Sequence, residues 1–280
     1  MADDFKSFYK KGDRKINTWC RWNDRLDPYG RGCSHDCCYC YAKSLLDFRG
    51  LWNPDSPTPA RPMDIRRKIH AIEPGKVLRI GQMTDPFQPC EREQRVTYSM
   101  LKQLNAHRVP YLIVTKSDMV AEDYYIGVLD KELAHIQITI TTTDDALCAT
   151  YEPHAPAPSR RIKAVEKLSA LGYDTQVRLS PFIPEFVNLD EINAIQCDKI
   201  LIEFLKVSPR IKQWFPIDYS PYTCKCGGYL HLELPRKIEL VDQITGFKEK
   251  TVGEFVPEHH EYFSKNVNAN PDDRCNLRLR

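Results

Sequence analysis

The sequence lacks an apolar run long enough to approach a membrane span, an excess of charge of one sign, and a leader-like start. The first lack excludes a helical membrane anchor within the chain. The second, 40 Lys and Arg against 38 Asp and Glu, means that bulk charge does not announce a nucleic-acid binder, so any such site must come from local patches. The third rests on a polar opening, Met1-Ala-Asp-Asp-Phe-Lys6, which is not the apolar pattern of a secretory signal. Cysteine, by contrast, is plentiful: 11 in 280 residues. Disulfide frameworks belong to small secreted chains. The expectation is therefore a cytoplasmic protein without a membrane, its thiols free to bind metal. The length allows a real core, organised as one domain with a tail or as two small domains.

The densest group of thiols is Gly32-Cys-Ser-His-Asp-Cys-Cys-Tyr-Cys-Tyr41. Cys33, Cys37 and Cys40 fall in the spacing C-x3-C-x2-C; Cys38 is a rival, but Cys37 alone satisfies both intervals. With 11 Cys in 280 residues, chance meets this spacing in about one such chain in sixty, so the pattern informs without deciding. Three thiolates on one short loop can converge on a metal centre. Zinc usually takes four protein ligands, commonly two close Cys pairs. Iron–sulfur clusters are also usually held by four thiolates. A compact triad with no obvious fourth partner points to a cluster with one iron open to a small molecule; a zinc knuckle or incidental thiols is the alternative.

Along the chain, residues 1–15 read as a polar arm with Lys10, Lys11, Arg14 and Lys15, either solvated or touching nucleic acid. Ile16–Trp22 reads as the first strand, with Cys20 in the core. Residues 49–62 hold Pro54, Pro57, Pro59 and Pro62, which marks an irregular loop. Strands are then expected at 77–80, 111–114, 136–140, 175–179 and 199–204. Helices are expected at 42–48, 64–72, 91–104, 121–129, 159–170 (Ser159 as N-cap, Gly172 as stop) and 190–195. This alternation predicts parallel βαβ units, about six of them. After residue 205 it fades: residues 206–280 carry Cys224-Lys-Cys226-Gly-Gly, a strand near 229–234, a helix near 235–244 and a polar end. They are read as an irregular extension over the barrel mouth.

The triad, with an aromatic before its last Cys, resembles the signature of radical S-adenosylmethionine (SAM) enzymes. The fuller string from Tyr29-Gly-Arg-Gly to Cys40-Tyr-Ala42 is similar to the spore photoproduct lyase branch, over residues 15 to 205. The resemblance implies an α/β fold, a partial (β/α)6 TIM-type barrel spanning 16–205. It implies a [4Fe–4S] cluster on Cys33, Cys37 and Cys40, with SAM chelating the open iron and cleaved to methionine and a 5′-deoxyadenosyl radical. Gly81-Gln-Met-Thr-Asp-Pro-Phe-Gln-Pro89 follows the 77–80 strand and matches the T-D-P-x-Q-P string of the lyase's relatives. Asp85 is then the ribose contact with Thr84 beside it, and Lys116, Thr139 and Ser180 fall at further SAM-contacting positions. Each alone serves equally well as a turn or cap residue; together, at strand ends, they favour a pocket. Tyr39 and Tyr41 match tyrosines of a radical relay; packing around the cluster is the alternative.

One departure bears on the substrate. The lyase carries a hydrogen-donating Cys two residues before the ribose Asp; here that residue is Met83, whose thioether has no S–H. The expectation is related chemistry, of isomerase or lyase type, on a thymine-like or modified pyrimidine base in DNA or a nucleotide. It would be a rearrangement, or a repair through another donor. A flavodoxin- or ferredoxin-like protein would supply the electron. Arg61, Arg66, Arg67, Lys68, Arg160, Arg161 and Lys163 are candidate phosphate contacts, or solvated helix faces, and Trp52 a stacking residue. A radical SAM enzyme acting on a peptide or small metabolite, and a metal-cluster binding module without turnover, are the other readings. Cys224 and Cys226, with Cys275 and one of His259 or His260, are candidates for a second metal. His259-His260-Glu261 otherwise reads as a polar surface turn.

Overall fold

The computed structural model of the chain describes residues 9–10 and 22–278. The expected arm and the strand at 16–22 therefore lie outside the described residues, save for Tyr9, Lys10 and Trp22, and Cys20 lies outside them too. The strands are β1 (Tyr9–Lys10), β2 (Trp22–Leu26), β3 (Tyr29–Gly30), β4 (Thr58–Pro59), β5 (Val77–Ile80), β6 (Tyr111–Thr115), β7 (Ala134–Thr139), β8 (Asp174–Phe182), β9 (Lys199–Phe204), β10 (Cys224–Cys226), β11 (Tyr229–His231) and β12 (Glu249–Val252). The helices are α1 (Tyr41–Phe48), α2 (Pro62–Ile69), α3 (Glu91–Gln94), α4 (Val96–Ala106), α5 (Asp123–Ile126), α6 (Asp145–Tyr151), α7 (Pro158–Ala170), α8 (Leu189–Asn193), α9 (Pro209–Trp214), α10 (Leu234–Asp242) and α11 (Pro257–Asn266).

One sheet organises them, in the order β1-β2-β5-β6-β7-β8-β9-β12. From β2 to β12 every pairing is parallel; only β1 runs against β2. Side chains alternate faces along a strand. One set, including Leu78, Ile80, Ile113, Ile136, Ile138, Val177, Leu179, Ile200 and Ile202, packs with Leu101, Leu104, Val165 and Leu168 of α4 and α7 in a single core. The other set is polar: Arg79, His135, Gln137, Asp174, Gln176, Arg178, Ser180, Lys199 and Glu203. Its members bond to one another across strands, as in Gln137–Gln176 at 2.8 Å, Arg178–Gln137 at 2.6 Å and Lys199–Asp174 at 2.8 Å. The result is an open α/β barrel with an apolar outside under the helices and a polar inside. Its base is closed by the chain end. Cys275 and Leu277 pack on Val77 and Leu112, near the start of β5 and β6. Lys199 Nζ donates to the Asn276 carbonyl, and the Arg278 N–H donates to Asp174 at 3.2 Å.

The alternation outlasts residue 205. β12 adds a seventh parallel strand beside β9, and α11 follows it. Two expected helices are broken. Arg95 takes a left-handed φ of 52° and splits 91–104 into α3 and α4. The stretch 121–129 is a 3₁₀ turn, Asp118–Ala121, followed by the short α5. Ser159 is not the N-cap of α7: Ala157 is, and the Ser159 hydroxyl donates to Asp145 at 2.7 Å.

Candidate active site

The cysteine loop joins β3 to α1. It is compact because Arg31 and Asp36 adopt left-handed φ values of 63° and 43°, and because Gly32 lies against residue 53. A Cβ at Gly32 would sit 2.3 Å from the Asn53 carbonyl oxygen, so no other residue fits without movement. Two turns, Asp36 N–H to Cys33 O at 3.1 Å and Cys40 N–H to Cys37 O at 3.2 Å, set the three thiols along the loop. The Cys38 N–H donates to Tyr151 O at 3.0 Å, fixing the loop to the end of α6. Burial pushes all three thiol pKa values up, and two also feel neighbouring thiols: Cys33 feels Cys40, and Cys37 feels both Cys33 and Cys40. Among the described residues no three His, Cys, Asp or Glu side chains close tightly enough to hold a single metal ion.

The donor chemistry suits a cluster. Backbone N–H groups of Asp85 and His35 point at Cys33 sulfur, and those of Lys43 and Ala42 at Cys40 sulfur. Such bonds stabilise thiolate and tune cluster potentials. Cys40 is also the N-cap of α1, accepting from Lys43 N at 3.4 Å, where the helix dipole favours negative charge. Cys33, Cys37 and Cys40 are thus side chains that could hold three irons of a cluster.

The loop after β5 faces the cysteine loop. Gly81 turns it with φ 84°, and its Cα lies so near β6 that a Cβ would meet Val114 O at 2.3 Å. Asp27, buried at the end of β2, gathers the N–H groups of Gln82, Met83 and Thr84 at 2.7, 3.0 and 3.3 Å. The Thr84 hydroxyl donates to Tyr29 O at 2.6 Å. Gln88 Oε1 accepts from Ser34 N and Oγ at 3.0 and 3.2 Å, so the two loops are joined side chain to backbone. Glu91, fully buried, accepts from Thr97 N and Tyr98 N at 2.9 Å each and from Tyr125 Oη at 2.8 Å. It therefore caps α4, the helix after its own.

Asp85 is buried and much engaged. Its Oδ1 accepts from Thr115 Oγ1 at 2.6 Å and Phe87 N at 2.8 Å, and its Oδ2 from Lys116 N at 2.7 Å. A carboxylate has about four lone-pair sites, so one acceptor position on Oδ2 remains, with His35 Nδ1 3.5 Å away. Burial brings His35 down to about 4 despite that carboxylate. Lys116 Nζ lies 3.1 Å from Glu152 Oε1 and 5.3 Å from the Tyr39 ring centre. Burial brings it down to about 8, with Cys37 opposing. Tyr39 donates to Thr141 Oγ1 at 3.2 Å, and Thr141 in turn donates to Glu152. Tyr41, half exposed, donates to Gln82 O at 2.7 Å. Thr84, Asp85, Lys116, Tyr39 and Tyr41 are therefore brought around the cysteine loop. Thr139 lies buried on β7, its carbonyl taken by Arg161 at 3.2 Å. Ser180 donates to Glu203 at 2.8 Å on the inner face of β8.

The radical SAM superfamily profile matches residues 28–195, more than half of the chain. The chain belongs to the radical SAM superfamily. Enzymes of this superfamily use a [4Fe–4S] cluster and SAM, and the fold agrees. Spore photoproduct lyase complexed with dinucleoside spore photoproduct superimposes with a TM-score of 0.61 at 15% identity, covering 89% of this chain and 79% of that one. A double mutant of that lyase with bound AdoMet and the same dinucleoside gives 0.60 at 15% identity, covering 88% and 81%. SuiB of Streptococcus suis bound to SAM gives 0.51 at 13% identity, covering 91% and 52%. At these identities the likeness is one of fold, the partial barrel of radical SAM enzymes.

Curated relatives are uncharacterized proteins. One from Methanocaldococcus jannaschii is 28% identical over 165 residues, 58% of this chain and 61% of the relative. One from Mycobacterium tuberculosis is 24% identical over 172 residues, 58% and 50%. One from Acidianus two-tailed virus is 24% identical over 164 residues, 55% and 54%. The match spans 50 to 61% of these relatives' length. No helix among the described residues is long and apolar enough to cross a membrane.

Several expectations do not survive. Arg161 is no phosphate contact: it is fully buried, donating to Pro156 O at 2.6 Å, to Cys148 Sγ at 3.2 Å and to Glu152. The helix α6, unread in the sequence, carries Glu152 to it. Arg61 and Arg67, paired with Asp64, and Arg160, paired with Asp118, are by contrast exposed on outer helices, where both the solvated-face reading and the phosphate-contact reading stand. Cys275 packs at the barrel base with Val77 and Leu112. Cys224 and Cys226 lie on a hairpin that pairs with Val207, just past the other end of β9, so Cys275 is remote from them. His259 and His260 are buried in α11 rather than in a surface turn; Lys237 Nζ lies 3.1 Å from His259 Nδ1.

Proposed function

We propose that Cys33, Cys37 and Cys40 hold a [4Fe–4S] cluster whose fourth iron binds SAM, and that the enzyme abstracts hydrogen from a pyrimidine base in DNA or a nucleotide. The observation that carries the first half is the Ser34–Gln88 pair, which joins the cysteine loop to the Gly81–Pro89 loop at 3.0 Å. Thiols and SAM-facing side chains so become one wall at the strand ends, where barrel enzymes do their chemistry. When bound, the cluster supplies the electron that cleaves SAM to methionine and a 5′-deoxyadenosyl radical.

The chain's own residues then have these tasks. Asp85 keeps its remaining Oδ2 site for a ribose hydroxyl, with Thr84 shaping the turn beside it. Lys116, poised near neutrality by burial, meets the SAM carboxylate. Thr139 and Ser180 complete the rim. Tyr39, near Lys116 and Thr141, and Tyr41, near Gln82, shield the site and can pass a hydrogen atom. The fold likeness to a lyase holding a dinucleoside lesion supports a pyrimidine base, and Met83 in the loop supports a rearrangement or another hydrogen donor over thiol-mediated repair. A flavodoxin- or ferredoxin-like protein is the electron source.

The test is deuterium transfer. Reduced enzyme with SAM is offered thymidine, its nucleotide, modified pyrimidines and thymine-dimer DNA, each deuterated at the methyl or C6 position. Deuterium in 5′-deoxyadenosine identifies the substrate and the atom. Its absence from all of them, with 5′-deoxyadenosine still formed, refutes the pyrimidine reading. Clean dimer reversal refutes the inference drawn from Met83.

A further inference from the structure

His35 and His135 are both buried against an aspartate, and the two pairs differ. His135 is closed: its Nδ1 lies 2.6 Å from Asp174 Oδ2. His35 is open: its Nδ1 lies 3.5 Å from Asp85 Oδ2, beyond the range of a hydrogen bond. Yet His35 is buried as deeply, 2% exposed against 4% for His135. Its Nδ1 has no hydrogen-bond partner among the described residues. A buried polar atom left unpaired costs stability, so its retention calls for a reason.

Both sides of the open pair are fixed in place. Ser34, just before the ring, gives its N–H and hydroxyl to Gln88 Oε1 at 3.0 and 3.2 Å. Asp36, just after it, holds a left-handed φ of 43° and accepts from Lys43 Nζ at 2.8 Å. Asp85 is held by Thr115 Oγ1 and Phe87 N on Oδ1 and by Lys116 N on Oδ2. Closing the gap by moving either backbone would give up these bonds.

An imidazole nitrogen that faces a carboxylate carries its proton there, because a bare lone pair would be repelled. Nδ1–H and the last acceptor position of Asp85 Oδ2 therefore stand side by side, one donor and one acceptor. An ammonium group only donates, and a carboxylate only accepts. A hydroxyl does both, so the open pair selects a hydroxyl. Of the parts of SAM, the ribose carries hydroxyls and the methionine end does not.

We propose that His35 Nδ1–H and Asp85 Oδ2 jointly bind one ribose hydroxyl of SAM, so that His35 as well as Asp85 sets the preference for a ribose over a deoxyribose cofactor. The proposal rests on the reading of Asp85 as the ribose contact and adds the missing donor. Because His35 lies between Cys33 and Cys37, the ribose is gripped by the cysteine loop as well as by the loop after β5.

The test measures anaerobic binding to the reconstituted full chain with its cluster oxidised, so that the cofactor is not cleaved. Probes are SAM and its 2′-deoxy and 3′-deoxy analogues. Each protein is scored by its affinity for SAM relative to the weaker-binding analogue, a ratio that does not depend on the fraction of protein loaded. Wild type should prefer SAM by about ten-fold or more. His35→Phe keeps a buried ring but loses the donor, and its ratio should fall about three-fold or more. His35→Asn sets an amide N–H near the Nδ1 position and should recover the preference; His35→Gln, whose amide reaches further, should not. A merely structural role would weaken all three probes alike and leave the ratio unchanged. That result in His35→Phe overturns the proposal and leaves the Asp85 contact standing. If His35→Phe takes up no iron, the other two variants decide: a ratio restored in Asn alone supports the proposal, and equal ratios overturn it. Wild type that binds SAM and both analogues equally overturns the Asp85 reading and this proposal together.

Discussion

Arg161→Met is the substitution that separates a buried framework from a nucleic-acid surface. The wild-type guanidinium is fully buried, with four partners: Pro156 O, Thr139 O, Cys148 Sγ and Glu152. Glu152 is itself 1% exposed. Met fills much of the same volume, so the main loss is electrostatic: the carboxylate is left buried with Lys116, Thr141 and the Cys148 thiol beside it but without the guanidinium. Breaking a buried pair from one side costs about 3–5 kcal/mol. Against a typical domain stability of about 5–15 kcal/mol, that is about a fifth or more. Removing both charges in Arg161→Met/Glu152→Gln should return at least half of the loss, a coupling of about 2 kcal/mol in a double-mutant cycle. Urea unfolding of the four proteins, followed by tryptophan fluorescence, measures it. If Arg161→Met unfolds within about 1 kcal/mol of wild type and instead weakens DNA binding in a salt-dependent way, the framework role is wrong.

Three other outcomes follow from the same geometry. Gln88→Leu removes the acceptor for both Ser34 donors; global stability should fall by about 1–3 kcal/mol, and iron retained after gel filtration should drop below that of wild type. Gly81→Ala places a methyl 2.3 Å from Val114 O at a φ of 84°; it should cost more than the roughly 1 kcal/mol of an ordinary glycine replacement, read as a lower urea midpoint. Glu203 is held at about 2 against an ordinary 4.5 because Arg178, Lys206 and Arg274 outweigh its burial. A depressed carboxylate stabilises the fold above its unfolded pKa and loses that contribution as pH falls toward the folded one. Stability on the order of 3 kcal/mol should therefore drain away between pH 4.5 and 2, and Glu203→Gln should flatten the slope in that window. An unchanged slope would contradict the assignment.

The parts legible in the sequence were those with local rules. The 199–204 and 77–80 strands were read at their true bounds, because short apolar runs between turn signals mark strands buried in parallel sheets. The cysteine spacing and the T-D-P-F-Q-P string led to two loops that do meet. The rest depended on contacts between distant residues. Arg161 looked like a wet helix face because its partner, Glu152, ends a helix whose only local sign is the Asp144 cap. The seventh strand, Glu-Lys-Thr-Val, was missed because its inner residues are polar, as the inner face of this barrel requires. The stretch 91–104 was read as one helix, whereas a left-handed Arg95 splits it and leaves Glu91 to cap the second part. Cys275 looked like a partner for Cys224 and Cys226 until the chain end proved to close the opposite end of the barrel.

Iron and SAM binding test the central claim most directly. The chain, reconstituted anaerobically, should hold about four irons, turn brown, and give a reduced-cluster EPR signal that shifts when SAM is added, with 5′-deoxyadenosine released. Alanine at Cys33, Cys37 or Cys40 should abolish all of this, while alanine at Cys38 or Cys275 should leave it intact. Full iron content and an unchanged SAM-induced shift in the Cys37→Ala protein would contradict the account.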